Sequence, residues 1–180
     1  PVGEIWFEDP ARRDRDLLIK YLFTSEKLSI QVHPDDIHAR AAGFPSGKDE
    51  AWVVLAADAD AIIGLGLRET VSRDALRKGV LDGRIVDMVD WRPSKAGDFY
   101  YSPAGTVHAL GQGLMVVEVQ QNVDVTYRLY DYGRPRELHL DKGIAVANPG
   151  PYRGHHEARQ LAQGRTVLAE GPAFVLERLT

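Results

Sequence analysis

An all-β sandwich or jelly roll with a few short helices is the fold class that this sequence predicts. Three observations carry it: many short β-rich runs, frequent turn residues between them (17 Gly and 10 Pro in 180 residues), and few stretches of helical period. Hydrophobic residues make up 44% and charged residues 27%. A packed core is therefore expected and disorder is not. The length suits one domain, or one domain and the start of another.

Leu17 to Phe23 and Leu28 to Val32 read as strands joined by Thr24-Ser25-Glu26-Lys27, the pattern of a hairpin. Further strands are expected at Ala51 to Ala57, Ala61 to Leu65, Asp98 to Ser102, Leu114 to Gln121, Thr126 to Tyr130, Thr166 to Ala169 and Ala173 to Leu179. Asp35 to Ala42 follows a Pro and opens with acids, as a first helical turn should. Ser72 is placed to cap a helix ending near Gly79, and Arg84 to Asp90 reads as a second short helix before Pro93. Asn148 to Gly154 is the best linker signal. It divides the chain into a main domain, residues 1–148, and residues 149–180, a linker with two strands. Two strands cannot build a core alone, so this piece is expected to pack on the main domain, or to begin a truncated second domain of the same kind. The chain starts without Met and stops at the end of an apolar run, so both ends read as cuts in a longer protein.

The net charge of −4 and pI of about 5.9 argue against nucleic acid as a partner. No apolar run approaches the ~20 residues a membrane helix needs, and the N-terminus lacks a signal-peptide pattern. Without cysteine there is no disulfide framework and no thiolate metal site. These facts favour a cytoplasmic protein with a small-molecule partner. An anionic substrate would need a local cluster of Lys and Arg working against the overall field.

In Leu28 to His33 the alternation is clean: Leu28, Ile30 and Val32 point one way and Ser29, Gln31 and His33 the other. A polar stripe of this kind is usually a solvent face, but Ser, Gln and His are unusual surface choices. Gly97 to His108 matches the second cupin motif: a Gly, five residues, Pro103-Ala104-Gly105, two residues, then His108. Pro and Gly make a tight turn between strands, and a His just past it can point into a barrel mouth. Gln31, His33, Glu50 and His108 together offer two imidazoles, a carboxylate and an amide oxygen. Such a set suits Zn²⁺, with Mn²⁺, Fe²⁺ and Co²⁺ as alternatives. His38, His139, His155 and His156 read as surface residues.

Ser29 to Asp35, Gly47 to Trp52, Pro103 to Ala109 and Gln120 to Arg134, in that order, resemble the type I phosphomannose isomerases, and the last segment resembles their short bacterial branch. The resemblance covers about residues 3 to 145. It implies a cupin jelly roll and one zinc held by Gln31, His33, Glu50 and His108. It implies Lys48, Asp124 and Arg128 as catalytic residues, with Lys20, Ser29 and Arg134 around the phosphate of a sugar-phosphate substrate. Departures are Val123 where the family often has Ser, Gly47 where long forms have another polar residue, and Arg134 where long forms have Lys. The implied reaction interconverts mannose 6-phosphate and fructose 6-phosphate through a cis-enediol, with a Lewis acid stabilising the enediolate. A metal-bound His has no free lone pair, so the proton would be moved by Asp124, Lys48 or a bound water, and a hydride shift is the alternative. The rival readings are another metal-cupin enzyme, such as a dioxygenase, and a non-catalytic sugar-binding cupin.

Overall fold

Among residues 3–7, 16–154 and 158–180, which the computed structural model describes, the expected alternation resolves into thirteen strands and four short helices. The strands are β1 (Glu4–Phe7), β2 (Leu17–Thr24), β3 (Ile30–Val32), β4 (Glu50–Ala57), β5 (Ile62–Leu67), β6 (Val89–Pro93), β7 (Phe99–Ser102), β8 (His108–Leu110), β9 (Leu114–Gln121), β10 (Tyr127–Tyr130), β11 (Arg159–Ala162), β12 (Arg165–Glu170) and β13 (Val175–Leu179). The helices are α1 (Asp36–Ala41), α2 (Arg73–Leu81), α3 (Ile85–Met88) and α4 (Leu140–Val146). One antiparallel sheet runs β1-β2-β9-β4-β7 and a second runs β10-β3-β8-β5-β6; β11-β12-β13 form a third. The fold is the all-β jelly roll the sequence predicts.

Strand register decides what lies between the two large sheets. Leu22, Val116 and Val54 form one rung across β2, β9 and β4; Lys20, Glu118 and Trp52 form the next; Leu18, Gln120 and Glu50 form the third. All nine side chains are buried. The sandwich interior thus grades from hydrocarbon to polar within three rungs. At the apolar end Ile63, Leu65 and Leu110 from the second sheet complete the core. At the polar end the second sheet offers Arg128, Gln31 and His108 as one rung across β10, β3 and β8.

The alternation holds over residues 29–33, and neither face of β3 meets solvent; Leu28, expected beside Ile30 and Val32, packs instead on the cluster of Leu22 and Trp52 inside the sandwich. Ile30 and Val32 are fully buried beneath the helices, against Leu76, Val80, Ile85 and Ile144. Each such side chain contributes about 1.5–3 kcal/mol by leaving water. The opposite face, with Gln31 and His33, turns into the sandwich. Asp35 caps α1 by accepting from His38 N at 2.8 Å, and Ser72 caps α2 by accepting from Ala75 N at 3.1 Å.

Several sequence expectations need correction. β2 and β3 are not a hairpin: β2 pairs with β1 and β9, β3 with β10 and β8, and the connection crosses between sheets. The helix expected at Arg84 to Asp90 is confined to Ile85–Met88, because Val89 already pairs with Leu67 as part of β6. Strands β1, β8 and β11 and helix α4 had no clear signature. The third sheet packs Ala169 and Phe174 on Ala51, Tyr101 and Val119, which face outward from the first sheet. The Asn148 to Gly154 segment is tied down: Gly150 O accepts from Leu67 N at 3.0 Å, and Pro151 bridges Gly66. His155 and His156 lie outside the described residues.

Two local features hold the polar end in place. The chain enters β4 through Gly47-Lys48-Asp49, pressed onto the start of α1: Gly47 N donates to Asp36 Oδ1 at 2.8 Å and Lys48 N to Pro34 O at 3.1 Å. After β10, the buried Asp131 carboxylate takes Arg134 Nη2 at 2.6 Å and Arg136 Nε at 2.6 Å. Burial opposes ionisation of Asp131, but the hydrogen bonds from Arg136 and Arg134 outweigh it and hold the carboxyl below its ordinary value.

A Cβ on Gly47 would lie 2.6 Å from the Asp35 and Asp36 backbone. Gly47→Ala should therefore cost about 1–3 kcal/mol of unfolding free energy, read by urea titration; an unchanged midpoint would refute the close approach. Asp131→Asn should cost about 1.5–3 kcal/mol at neutral pH. Because the folded-state pKa is depressed, this advantage of the wild type is present above the unfolded carboxylate pKa of ~4 and is lost as pH falls through the lower folded value. A gap between the two proteins that stays constant from neutral pH down into acid would show that the charge of Asp131 contributes nothing.

Candidate metal centre

Three buried side chains from three strand ends converge where the polar rungs meet. His33 follows β3, Glu50 opens β4 and His108 opens β8, and one ligand atom of each lies within 4.8 Å of the others. His33 Nε2 is 3.1 Å from Glu50 Oε1, and His108 Nε2 is 3.4 Å from Glu50 Oε2.

These contacts are not hydrogen bonds. His33 Nδ1 lies 2.9 Å from Val125 O, and His108 Nδ1 lies 2.9 Å from Thr106 O. A carbonyl only accepts, so each Nδ1 carries the ring proton and each Nε2 presents a lone pair. Burial, working against the attraction of Glu50, lowers the His33 pKa to about 4, so the ring is neutral near pH 7. Burial also opposes ionisation of Glu50, but neighbouring His33 and Lys48 outweigh it and hold its carboxyl well below the usual range. With the imidazole neutral, the standing positive neighbour is Lys48, whose Nζ is 3.3 Å from Glu50 Oε1. His33 Nε2 and Glu50 Oε2 are consequently buried acceptors without a donor.

Lone pairs aimed at one another in a buried site call for a cation. A tetrahedral ion with bonds of about 2.0–2.2 Å sets its ligand atoms roughly 3.3–3.6 Å apart, close to the separations found. The hydrogen bonds from each Nδ1 to a carbonyl are the outer-shell contacts that orient metal-bound imidazoles. The residues present therefore fit a divalent metal with nitrogen and oxygen ligands.

The remaining predicted residues distribute as follows. Gln31 lies beside the triad, its Nε2 3.3 Å from His108 Nε2, and its Oε1 accepts from Ser29 Oγ at 3.0 Å. A cleft of about 290 Å³ opens from the centre, and its lining includes Lys20, Ser29, Gln31, Lys48, Asp124 and Arg128. Lys48 is buried and Asp124 is exposed at the rim. Arg128 Nη1 donates to Glu137 O at 2.9 Å, while its Nε is buried without a hydrogen-bond partner. Burial, and then neighbouring Arg136, pull the Arg128 pKa below its ordinary value, with Asp131 acting against them. Arg134 is not part of the lining: it is spent on Asp131, on Glu26 at 3.3 Å and on Lys27 O at 2.8 Å. Arg136 lines the cleft in its place.

The sequence reading passed over Glu118 and Gln120. Glu118 is buried between Lys20 Nζ, 3.1 Å away, and Trp52 Nε1, which donates at 3.0 Å. Burial, with Glu50 nearby, raises its pKa. The signal was available, since Glu118 and Gln120 share a face with Leu114 and Val116 on an otherwise apolar strand. At the mouth, the Trp6 ring lies 5.0 Å from Lys20 Nζ.

No family model matches the chain. The mannose-6-phosphate isomerase of Streptococcus mutans serotype c is 40% identical over 168 residues, which cover 89% of this chain and 53% of that protein. The mannose-6-phosphate isomerase ManA of Bacillus subtilis is 40% identical over 152 residues, 78% of this chain and 48% of that protein. A crystal structure of mannose 6-phosphate isomerase from Bacillus subtilis superposes with a TM-score of 0.82 at 36% identity, covering 89% of this chain and 54% of that one. The chain spans about half the length of the curated relatives it matches. By sequence and by fold, the chain is homologous to the mannose-6-phosphate isomerases.

Proposed function

We propose that this chain carries the active site of a metal-dependent aldose–ketose isomerase that interconverts mannose 6-phosphate and fructose 6-phosphate. The observation that carries the reading is the convergence of three buried lone pairs, on His33, Glu50 and His108, beside a cleft that reaches Glu50 and is lined also by Lys20, Lys48 and Arg128. The names of the relatives supply the substrate. Residues 1–148 are taken as the catalytic domain, with residues 149–180 a linker and sheet packed on it. No helix among the described residues is long and apolar enough to cross a membrane; a cytoplasmic location is part of the proposal.

His33, Glu50 and His108 would hold one Zn²⁺, joined by the Gln31 oxygen once that amide is turned to exchange its Nε2, now 3.3 Å from His108 Nε2, for its Oε1. When bound, the ion supplies Lewis-acid stabilisation for negative charge developing on the C1 and C2 oxygens. The chain's own groups do the rest. The cations of the cleft attract and hold the phosphate against a net charge of −4, and the unpaired Arg128 Nε marks where an anion oxygen is accepted. Arg136, not Arg134, is the second guanidinium for that role. Ser29 orients Gln31 instead of reaching the phosphate, and Lys20, paired with Glu118, fixes the wall between. Moving a proton between C1 and C2 needs a group beside the ligands. Lys48, 3.3 Å from Glu50, is better placed than the rim residue Asp124, which we assign to a sugar hydroxyl; an ammonium only donates, so Lys48 serves as the base only in its amine form, with the metal in its place as the cation beside Glu50.

His108→Ala should strip zinc and activity together; full zinc occupancy in that variant, by elemental analysis, would overturn the ligand set. A charge-assisted hydrogen bond contributes about 1.5–3 kcal/mol, or roughly 10- to 150-fold. Arg128→Ala should lower kcat/KM for mannose 6-phosphate by that factor and the weak activity on unphosphorylated mannose much less. Equal losses on both sugars would place Arg128 in the chemistry or the fold.

A further inference from the structure

Asp49 lies between Lys48 and Glu50 in sequence, and strand alternation turns its side chain away from the cleft, towards the outer face of the first sheet. There it is buried, and every polar group it owns is engaged. Its Oδ1 accepts from Ala104 N at 2.8 Å, inside the Pro103-Ala104-Gly105 turn that leads to His108. Its Oδ2 accepts from the Tyr101 hydroxyl. Its backbone N donates to Gln121 Oε1 at 2.9 Å, and its backbone O accepts from Gln121 N at 3.1 Å. One carboxylate thus ties the strand that begins with Glu50 to the turn that delivers His108.

Tyr101 is held in turn by the third sheet and by the Asn148 to Gly154 segment that precedes it. Its ring packs on Phe174 with centroids 5.4 Å apart, and its backbone O accepts from Tyr152 Oη at 2.6 Å. Gly171 approaches so closely that a Cβ there would clash with the Tyr101 hydroxyl. The Tyr101 pKa is pushed up by burial and then by Asp49, so the hydroxyl stays protonated and can only donate to that carboxylate.

We propose that Asp49 and Tyr101 are positioning residues for the metal centre, and that through them the third sheet sets the separation between Glu50 and His108. Neither side chain points into the cleft, and neither touches metal or substrate. They act by fixing the backbone from which two of the ligands spring. The proposal rests on the metal reading of the His33, Glu50 and His108 site, but not on the identity of the sugar.

The test is zinc affinity, measured by competition with a chromogenic chelator well below the unfolding temperature, alongside thermal unfolding of the metal-free protein. Removing partners that orient ligands typically costs 10- to 100-fold in metal affinity. Tyr101→Phe, which loses only the hydroxyl, should weaken Zn²⁺ binding about 10-fold. Asp49→Ala, which also frees the Ala104 turn, should weaken it more. Asp49→Asn, which keeps an acceptor for Ala104 N, should recover part of the loss. A purely structural role predicts a lower unfolding temperature with zinc affinity within twofold of wild type in all three variants, and that result would overturn the proposal. Should Tyr101→Phe fail to fold, the graded pair at Asp49 carries the same test. A wild-type protein that binds no zinc would overturn the metal reading itself, an outcome distinguishable from tight binding that the variants leave unchanged.

Discussion

Lone pairs on His33, Glu50 and His108 repel one another across roughly 3 Å unless a positive charge lies among them. The sequence cannot relax this by turning a ring, because each Nδ1–H is committed to a carbonyl, of Val125 or of Thr106. Much of the surrounding structure follows from this arrangement. Lys48 supplies a nearby cation, Gln31 closes one side, and Asp49 holds the two backbone segments from behind. Desolvation keeps His33 neutral and therefore able to act as a ligand.

The same sandwich has to be a stable fold and a polar container. It separates the two jobs along the strands. Leu22, Val54, Val116, Ile63 and Leu65 fill one end, and the helices seal Ile30 and Val32 on the far side of the second sheet. The polar end is then free to carry groups that would be costly in a mixed core. Lys20 and Glu118 sit at the boundary. Their pairing, with Trp52 donating to the same carboxylate, satisfies a buried charge where the interior changes character.

Much of this was legible in residue order. The Pro103-Ala104-Gly105 turn and the spacing to His108 located one member of the buried triad, and the alternation around Gln31 and His33 located the strand that leads to another. What the alternation could not say is what covers each face: the polar stripe of β3 looks like a solvent face, and only the helices packed on Ile30 and Val32 make it an interior one. Nor could it choose a pairing partner for β3. A short polar connection serves a hairpin, but it can equally step across the ~10 Å between facing sheets. Arg134 and Arg136 differ by two positions on an irregular loop, where no period governs direction, so the choice of Asp131 as the partner of both had to come from tertiary structure. Strand β8 is three residues long, too short for a pattern of its own.

The charge balance of the cleft follows from these placements. Carboxylates Glu50 and Glu118 lie at its floor, each matched by a lysine, while the rim carries Arg128 and Arg136. Arg136 is partly neutralised by Asp131, which it shares with Arg134. Arg128 is bonded through one nitrogen to a neutral carbonyl, and its Nε is left without a hydrogen bond. Among these cations, Arg128 is therefore the one with a buried donor that lacks a hydrogen-bond partner. In a protein whose net charge is −4, an anionic ligand gains little from the long-range field. A donor that is already desolvated and already oriented needs little reorganisation to meet such a ligand. The Tyr127 and Leu129 side chains, buried on either side of Arg128 in the strand, supply that rigidity, and this makes the guanidinium a fixed feature of the cleft instead of a mobile surface charge.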